Sequence, residues 1–252
     1  MNAKEQIAAA KQSFEQSFAA GAFYNKQTQD ADHLQQILSF LPLKSEMRVL
    51  DLGTGSGYLA FALAAAHPDI EITGLDIVEQ ALDINRKRAA REQLANLHFV
   101  SYDGMDFPFA DAAFDLVVSR YALHHFPDIA HSIGEVSRVL KPAGSFFLSD
   151  PMPNPCDISG FADAFMRMKP DGHIRFYGKD DWIRLCGGSG MVLSGGFGSI
   201  IRFPRICSAE NEYETLISQH PRAVVESYDL QIAGDEIWIT ERVNNLLFRK
   251  TA

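Results

Sequence analysis

The stretch Val49-Leu50-Asp51-Leu52-Gly53-Thr54-Gly55-Ser56-Gly57 decides the fold class of this 252-residue chain. It is an apolar strand that ends in an acid and runs into a glycine-rich turn, with a helical pattern directly after it. Glycine allows the backbone to turn tightly and lets a ligand approach the main chain closely. Nucleotide-type cofactors bind at such turns. Residues 55–60 also satisfy the G-x-G-x-x-A form of dinucleotide sites, so the surrounding sequence must distinguish the kinds of cofactor.

Outward from this turn, short apolar runs alternate with helical patterns. The apolar runs are RVLDLG (48–53), IEITGLDI (70–77), LHFVSYD (97–103), FDLVVSRY (114–121) and SFFLSD (145–150), and the helical patterns cover residues 57–66, 79–94 and 128–140. Runs that are apolar at successive positions are typical of strands buried on both faces. The alternation predicts an α/β fold with a mainly parallel sheet, right-handed crossovers and helices on both faces.

The flanking segments complete the predicted organisation. Ile7, Phe14 and Phe18 share one face of a helix over residues 3–20, and strands are expected at 191–204, 228–241 and 243–250, with Gly234-Asp235 as a hairpin turn. Because there is no internal repeat or low-complexity linker, we predict one domain over residues 1–252. Its predicted parts are an N-terminal helical cap (1–45), a cofactor-binding core (46–150), a capping segment (151–185) and C-terminal strands that complete the sheet (186–252).

Composition excludes several classes of protein. The chain is 46% apolar and carries 23 basic against 32 acidic residues, a net charge of −9, with no basic patch, so we expect no nucleic acid or membrane partner. The longest apolar run, residues 59–66, is far shorter than the roughly 20 residues that span a bilayer. Three scattered cysteines predict neither a disulfide framework nor a metal site. Without a secretory pattern at the N-terminus, we expect a cytoplasmic protein.

Three aspartates narrow the choice of cofactor. Asp51 would meet the first glycines, where its charge disfavours a pyrophosphate and favours a ligand with an ammonium group. Asp76 follows the turn by about twenty residues, where a carboxylate accepts hydrogen bonds from ribose hydroxyls in dinucleotide enzymes as well. Asp103 is predicted to end the third strand. Each aspartate is also a common turn former, so a purely structural role is the alternative.

In this order the motifs resemble the class I S-adenosylmethionine-dependent methyltransferases, in particular the small-molecule group typified by the ubiquinone/menaquinone-biosynthesis methyltransferases. The resemblance covers residues 48–150 and continues more weakly through DDWIRLCGGSGM and the final LLFRK. It implies a Rossmann-like, mainly parallel seven-stranded sheet with an antiparallel C-terminal edge. It also implies transfer of a methyl group from S-adenosylmethionine to a small-molecule acceptor, which releases S-adenosylhomocysteine.

The resemblance implies a set of cofactor-binding residues. The glycines flank the methionine part of the cofactor, Asp76 holds the ribose, Asp103 with the backbone of Gly104 and Met105 meets the adenine, and Arg120 contributes mainly backbone near the sulfonium. An aromatic residue before the first strand closes over the cofactor in some relatives. The predicted cofactor residues are Tyr24, Asp51, Gly53, Thr54, Gly55, Gly57, Asp76, Ile77, Asp103, Gly104, Met105 and Arg120.

Catalytic and acceptor residues are less sharply marked. His124 and His125 are candidate proton acceptors, but a sulfonium is an activated leaving group, and positioning alone can supply much of the catalysis. The alternative for both histidines is a packing role. Residues 151–185 concentrate aromatic residues and methionines that suit a hydrophobic or aromatic acceptor. The candidate acceptor residues are Phe161, Phe165, His173, Arg175 and Tyr177, with core packing as the alternative for the two phenylalanines.

Two other functions stay open at this point. One is an NAD(P)-dependent oxidoreductase, against which Asp51 and the order of the motifs argue. The other is a non-catalytic module that binds S-adenosylmethionine, because the cofactor motifs are better marked than any acceptor site. The sequence assigns neither the methyl acceptor nor an oligomeric state.

Overall fold

A computed structural model describes residues 3–19, 30–168, 172–206, 210–234 and 236–251. Its strands are β1 (Arg48–Leu52), β2 (Glu71–Asp76), β3 (Leu97–Ser101), β4 (Phe114–Arg120), β5 (Leu140–Met152), β6 (Met191–Ile206), β7 (Gln231–Ala233) and β8 (Glu236–Lys250). These strands form one sheet.

The helices lie between the strands, as the alternating pattern predicts. They are α1 (Ala3–Ala19), α2 (Ala31–Phe40), α3 (Tyr58–Ala66), α4 (Glu79–Arg91), α5 (Ile129–Val139), α6 (Phe161–Arg167), α7 (Lys179–Gly188), α8 (Glu210–Ser218) and α9 (Arg222–Glu226), with a short 3₁₀ turn at Leu123–His125. Among the helices that the structure describes, none combines the length and the apolar character needed to cross a membrane.

The strand order is β3-β2-β1-β4-β5-β8-β6. The first five strands on this path are parallel, and β8 then pairs antiparallel with both β5 and β6. This arrangement confirms the predicted Rossmann-like sheet with an antiparallel C-terminal edge. The short β7 adds an eighth strand beside β8. The prediction of separate strands at 228–241 and 243–250 was wrong, because residues 236–250 run on as one strand.

The central strands are buried on both faces. Val117 and Phe146 face a core that is covered by α5 and α7, whereas their neighbours Val118 and Phe147 face a second core under α2, α3 and α4. All four side chains are fully buried. Successive apolar residues are therefore explained by helices on the two sides of the sheet, and the carboxyl ends of the strands meet at one edge.

A third core lies outside the central sheet. Pairing of β5 with β8 reaches only to Arg242, whereas β6 and β8 remain paired from there to Ile206 and Glu236. This two-stranded extension carries α6, α8, α9 and β7. We call these elements together the cap. Its buried side chains include Phe161, Phe165, Ile201, Phe203, Tyr213, Val224, Tyr228 and Ile239.

The structure corrects the predicted role of two phenylalanines. Phe161 and Phe165 are completely buried in the cap core, where Phe165 packs 5.3 Å from the Tyr213 ring and Phe161 packs 5.4 Å from the Tyr228 ring, centroid to centroid. An apolar side chain with no exposed surface stabilises the fold by its burial. The structure thus places both residues in packing roles and does not bring them to an acceptor pocket.

We expect Phe165→Ala to lower the free energy of unfolding by about 3–5 kcal/mol, because it removes a buried ring and leaves a cavity. Denaturant unfolding of the ligand-free protein measures the loss. Ile158→Ala is the matched control, since Ile158 is an apolar side chain beside α6 that is 94% exposed. That change should cost less than about 0.5 kcal/mol. Equal stability of the two variants would contradict the assignment of Phe165 to the core.

Candidate active site

The glycine turn joins β1 to α3 in a left-handed backbone conformation. Gly53, Gly55 and Gly57 have φ angles of 69°, 51° and 76°, a region that costs L-residues energy. Gly53 also packs against the segment after β4, because a Cβ atom at this position would lie 2.4 Å from the Cβ of Ala122. The turn is therefore in direct contact with the chain that leaves the fourth strand.

Asp51 lies beneath this turn. Its carboxyl group is buried, and its Oδ2 accepts a hydrogen bond of 2.7 Å from the Thr54 hydroxyl. Burial raises the pKa of Asp51 from 3.8 to about 6, although the Thr54 hydroxyl and the Ala60 amide act in the opposite direction. Ionising the carboxyl group of Asp51 therefore costs about 3 kcal/mol more in the folded protein than in water. A cationic ligand group at this position would recover that free energy.

Asp76 connects the end of β2 to the glycine turn. Its Oδ2 accepts from the Gly55 amide at 2.8 Å, and its Oδ1 accepts from the Val78 amide at 3.0 Å. Ile77 lies between these contacts as the first residue after the strand. Burial raises the pKa of Asp76 as well. Since an ionised carboxylate has about four acceptor positions, hydroxyl donors can still bind.

Asn85 is a site residue that sequence reasoning missed. It is buried on α4, and its side-chain amide donates a hydrogen bond of 2.8 Å to the Gly55 carbonyl. Both polar groups of the Gly55 backbone are thereby held, one by Asp76 and one by Asn85. The signal was present in the sequence, because Asn85 is a polar residue on the otherwise apolar face formed by Ala81 and Ala89.

The predicted adenine-binding loop follows β3. The strand ends at Ser101, two residues earlier than predicted, and Asp103 is exposed. Its Oδ1 accepts from the Met105 amide at 2.8 Å and thereby shapes the loop. Gly104 has a φ angle of 91°, and a Cβ atom there would lie 2.7 Å from Ile7 of α1. The loop is thus shaped by its own aspartate and covered by the N-terminal helix.

Arg120 ends β4 beside the turn. Its guanidinium carbon lies 4.7 Å from the centre of the Tyr58 ring and 4.0 Å from that of the Tyr121 ring. Burial raises the pKa of Asp51 and lowers that of His33, and the positive charge of Arg120 opposes the effect at Asp51 and adds to it at His33. The side chain of Arg120 therefore belongs to the electrostatics of the site, in addition to the backbone that was predicted to contribute.

Helix α1 crosses the open edge of the sheet. Ile7 packs on Gly104, Ala10 lies against Gly172 in the segment before α7, and the Phe14 ring contacts the His125 ring edge-on at 5.0 Å. These three contacts follow one face of the helix. They connect the adenine-binding loop to the other side of the cleft. Tyr24, which was predicted to close over the cofactor, lies outside the described residues.

The two candidate histidines occupy different environments. His124 is buried, and its Nδ1 lies within hydrogen-bond distance of Asp150 Oδ1, at 2.9 Å. Burial raises the pKa of Asp150 to about 8, whereas the nearby His125 and His173 lower it. His125 is half-buried beside His124, with 4.1 Å between the ring centroids. Asp150 had no predicted role, although it ends an apolar strand as Asp51 and Asp76 do.

The remaining acceptor candidates separate into two groups. His173 is buried, and its Nε2 lies 2.8 Å from Asp163 Oδ1, close to the histidine pair. Arg175 is exposed and forms an ion pair of 3.6 Å with Asp181, so its side chain is directed toward the surface. The Tyr177 ring packs 5.0 Å from Trp182. The structure brings His173 to the site and leaves Arg175 outside it, which corrects that prediction.

The fold and this edge of the sheet define a class of protein. A mainly parallel sheet with an antiparallel C-terminal pair, and a glycine turn between buried carboxylates, are the features of class I methyltransferases. The chain belongs to the family described as "Methyltransferase domain", whose match covers residues 43–174. The predicted resemblance is thereby confirmed, and S-adenosylmethionine is the cofactor of this class.

Individual relatives support the same class. The chain is 37% identical over 124 residues to demethylmenaquinone methyltransferase of Deinococcus radiodurans. This match covers 49% of this chain and 50% of the relative. It is 34% identical over 131 residues to 27-O-demethylrifamycin SV methyltransferase of Amycolatopsis mediterranei, covering 51% and 48%. The matches thus span about half the length of these relatives. The crystal structure of YcgJ from Bacillus subtilis shares the fold, with a TM-score of 0.77, 20% identity, and coverage of 88% of this chain and 100% of YcgJ.

The residues of the site fit this cofactor. Asp51 and Asp76 are two buried carboxylates on either side of a turn whose backbone a ligand can approach. Carboxylates accept hydrogen bonds from an ammonium group and from ribose hydroxyls, and both groups occur in S-adenosylmethionine. The same negative charges would repel the pyrophosphate of a dinucleotide. The chemistry of the acceptor groups therefore favours the sulfonium cofactor over NAD.

Proposed function

We propose that this chain transfers the methyl group of S-adenosylmethionine to a small, largely apolar molecule. The observation that carries the proposal is the covering of the cleft by α1, which packs on Gly104 at one side and on Gly172 at the other. A cleft bridged in this way suits a molecule that can be enclosed. The names of two relatives refer to 27-O-demethylrifamycin SV and demethylmenaquinone as acceptors, which supports a small-molecule acceptor here.

The roles of the chain's own residues follow from their positions. We propose that Asp51 binds the ammonium group, Asp76 binds the ribose hydroxyls, and the loop at Asp103 borders the adenine. When bound, the cofactor supplies a methyl group activated by the positive charge on its sulfur. The protein positions the acceptor in line with that group and excludes water, which is sufficient for a large rate enhancement.

The predicted division of the chain stays a proposal, with one change. We propose that residues 46–150 bind the cofactor and that residues 151–185 face the acceptor. Helices α8 and α9 support this segment as well, because Tyr213 of α8 and Tyr228, which follows α9, pack on α6. Acceptor recognition would then not rest on the buried phenylalanines Phe161 and Phe165.

We expect the affinity for S-adenosylmethionine to rise as the pH is raised from about 5 to about 7 and then to level off. The carboxylate form of Asp51 is the form that attracts an ammonium group, and the pKa of Asp51 in the ligand-free protein is about 6. Below that value, binding must first remove a proton, so affinity falls by up to about tenfold per pH unit. Isothermal titration calorimetry measures the profile.

Asp51→Asn is the control for this profile. The amide retains the size of the side chain but cannot ionise, so the variant should bind more weakly and without the rise between about pH 5 and about pH 7. S-adenosylhomocysteine should bind the unmodified protein in the same manner. Binding of NAD as tight as that of S-adenosylmethionine, or binding of neither, would refute the proposed function.

A further inference from the structure

Three histidine rings and two carboxylates gather at the carboxyl ends of β4 and β5. The ring centroids are 4.1 Å apart for His124 and His125, 5.4 Å for His124 and His173, and 6.3 Å for His125 and His173. Asp150 lies against His124, and Asp163 lies against His173. None of these five side chains belongs to the glycine turn, Asp76 or the Asp103 loop, to which cofactor binding is assigned.

The cluster is not arranged as a metal site. Within the described ranges of the chain, no group of three or more His, Cys, Asp or Glu side chains is placed to hold a metal ion. His124 and His173 each lie instead within 2.8–2.9 Å of a carboxyl oxygen, of Asp150 and Asp163. Histidine is the side chain best suited to accept a proton near neutral pH, and a carboxyl group can orient its ring.

His124 is fixed in position on two sides. Its ring is held by Asp150, and its backbone carbonyl accepts a hydrogen bond of 3.0 Å from the Ile174 amide, which ties the 3₁₀ turn to the segment before α7. The residue is only 5% exposed. His124 is therefore placed to support a neighbour and not to meet an incoming molecule.

His125 is the most exposed of the three histidines in the cluster. It is half-buried, and the Phe14 ring of α1 contacts it edge-on. The segment that contains the histidine pair packs on the glycine turn, since a Cβ atom at Gly53 would lie 2.4 Å from the Cβ of Ala122 and 3.9 Å from the ring of Phe126. His125 thus lies between the turn that we assign to the cofactor and the helix that covers the cleft.

We propose that His125 is the proton acceptor for a phenolic hydroxyl group on the methyl acceptor, with His124 and Asp150 as positioning residues. This inference rests on the proposed function. As the acceptor oxygen forms its bond to the methyl carbon, the sulfur keeps the electron pair of the bond that breaks, and the hydroxyl proton passes to an imidazole nitrogen of His125. The products are the methyl ether, S-adenosylhomocysteine and a protonated imidazole.

The chemistry of imidazole favours a phenol over an aliphatic alcohol. The ordinary pKa of a phenol such as tyrosine is about 10 and that of histidine about 6.5, so the proton moves uphill by roughly 3.5 units. An aliphatic hydroxyl is closer to water, with a pKa of about 16, and the gap grows to roughly 9 units. Phe14, a half-buried aromatic side chain against the His125 ring, suits an aromatic ring.

The test compares a phenol that must lose its proton during the reaction with a phenol that has already lost it. 4-Methylphenol keeps its proton near neutral pH, whereas pentafluorophenol is already ionised. His125→Gln should lower kcat/KM for 4-methylphenol by about 100-fold or more, the usual contribution of a general base, and that for pentafluorophenol by less than about tenfold. Asp150→Asn should show the same selectivity with a smaller loss. His131→Gln, which removes a surface histidine paired with Asp106, is the matched control.

A second measurement does not depend on turnover. Bound to the complex of protein and S-adenosylhomocysteine, 4-nitrophenol should show more of its phenolate absorption band than in free solution, and His125→Gln should abolish the difference. Melting curves and affinity for S-adenosylhomocysteine confirm that each variant is folded. An equal loss with both phenols, or no methylation of either phenol by a protein that binds the cofactor, would overturn the proposal. Failure to bind the cofactor would instead overturn the proposed function itself.

Discussion

Asp76→Ala is expected to weaken binding of S-adenosylmethionine by about 30- to 1,000-fold, which corresponds to about 2–4 kcal/mol. Two effects combine in this change. The variant loses two charge-assisted hydrogen bonds to the ribose hydroxyls, and it releases the Gly55 amide that Asp76 Oδ2 holds at 2.8 Å. The glycine turn loses part of its shape as well. Calorimetric titration measures the affinity, and denaturant unfolding measures the accompanying loss of stability.

Asp115→Ala is the matched control for Asp76→Ala. Asp115 also accepts a backbone hydrogen bond, from the Arg48 amide at 2.9 Å, and it forms an ion pair with Lys141. It lies at the amino-terminal end of β4, whereas the glycine turn lies at the carboxyl ends of the strands. This variant should lose stability but keep its affinity for S-adenosylmethionine. If the two variants bound the cofactor equally well, Asp76 would be only a turn residue.

Gly53→Ala is expected to lower the free energy of unfolding by about 2–5 kcal/mol and to disturb the cofactor site. An alanine in the left-handed region costs about 1–2 kcal/mol. Its Cβ would also lie 2.4 Å from the Cβ of Ala122, so the chain after β4 must shift, and overpacking of this kind costs about 1–3 kcal/mol more. Denaturant unfolding gives the stability, and calorimetry shows whether S-adenosylhomocysteine still binds.

Gly234→Ala separates these two costs. Gly234 has a φ angle of 65°, close to that of Gly53, but a Cβ atom there would meet nothing within 4 Å. We therefore expect Gly234→Ala to lower the free energy of unfolding only by the cost of the left-handed backbone, about 1–2 kcal/mol, and to leave cofactor affinity unchanged. If Gly53→Ala were no more harmful than Gly234→Ala, the contact between the glycine turn and the segment after β4 would be of no energetic importance.

The core of the fold could be predicted because its signals are local. The apolar run of β1 and the glycine turn after it lie in one short stretch of sequence, so both could be predicted without knowing any distant contact. The long β8 could not be predicted in the same way. Residues 236–241 and 242–250 pair with different strands. The first part pairs with the extension of β6 and with β7, and the second pairs with β6 and β5, so only the folded sheet shows that one strand serves both.

The histidine cluster depended on contacts that the sequence does not show. Asp150 and His124 are 26 positions apart, and Asp163 and His173 are brought beside them only by the segment that leaves β5. The prediction that phenylalanines of α6 contact the acceptor failed for a related reason. Phe161 and Phe165 share a helical face, but whether that face meets a cleft or a core depends on α8 and α9, which come some fifty residues later.

The covering of the cleft by α1 sets limits on the kinetics of ligand exchange. Among its described side chains, Ile7 and Ala10 are the buried apolar ones, and their burial contributes about 3–4 kcal/mol, to which the contact of Phe14 with His125 adds. A helix held by at least this much would be detached in no more than roughly one molecule in a few hundred. If ligands enter and leave only while the helix is detached, association slows by that fraction, and product cannot depart faster than the helix detaches. The frequency of this opening thus sets an upper limit on turnover, however fast the chemical step becomes.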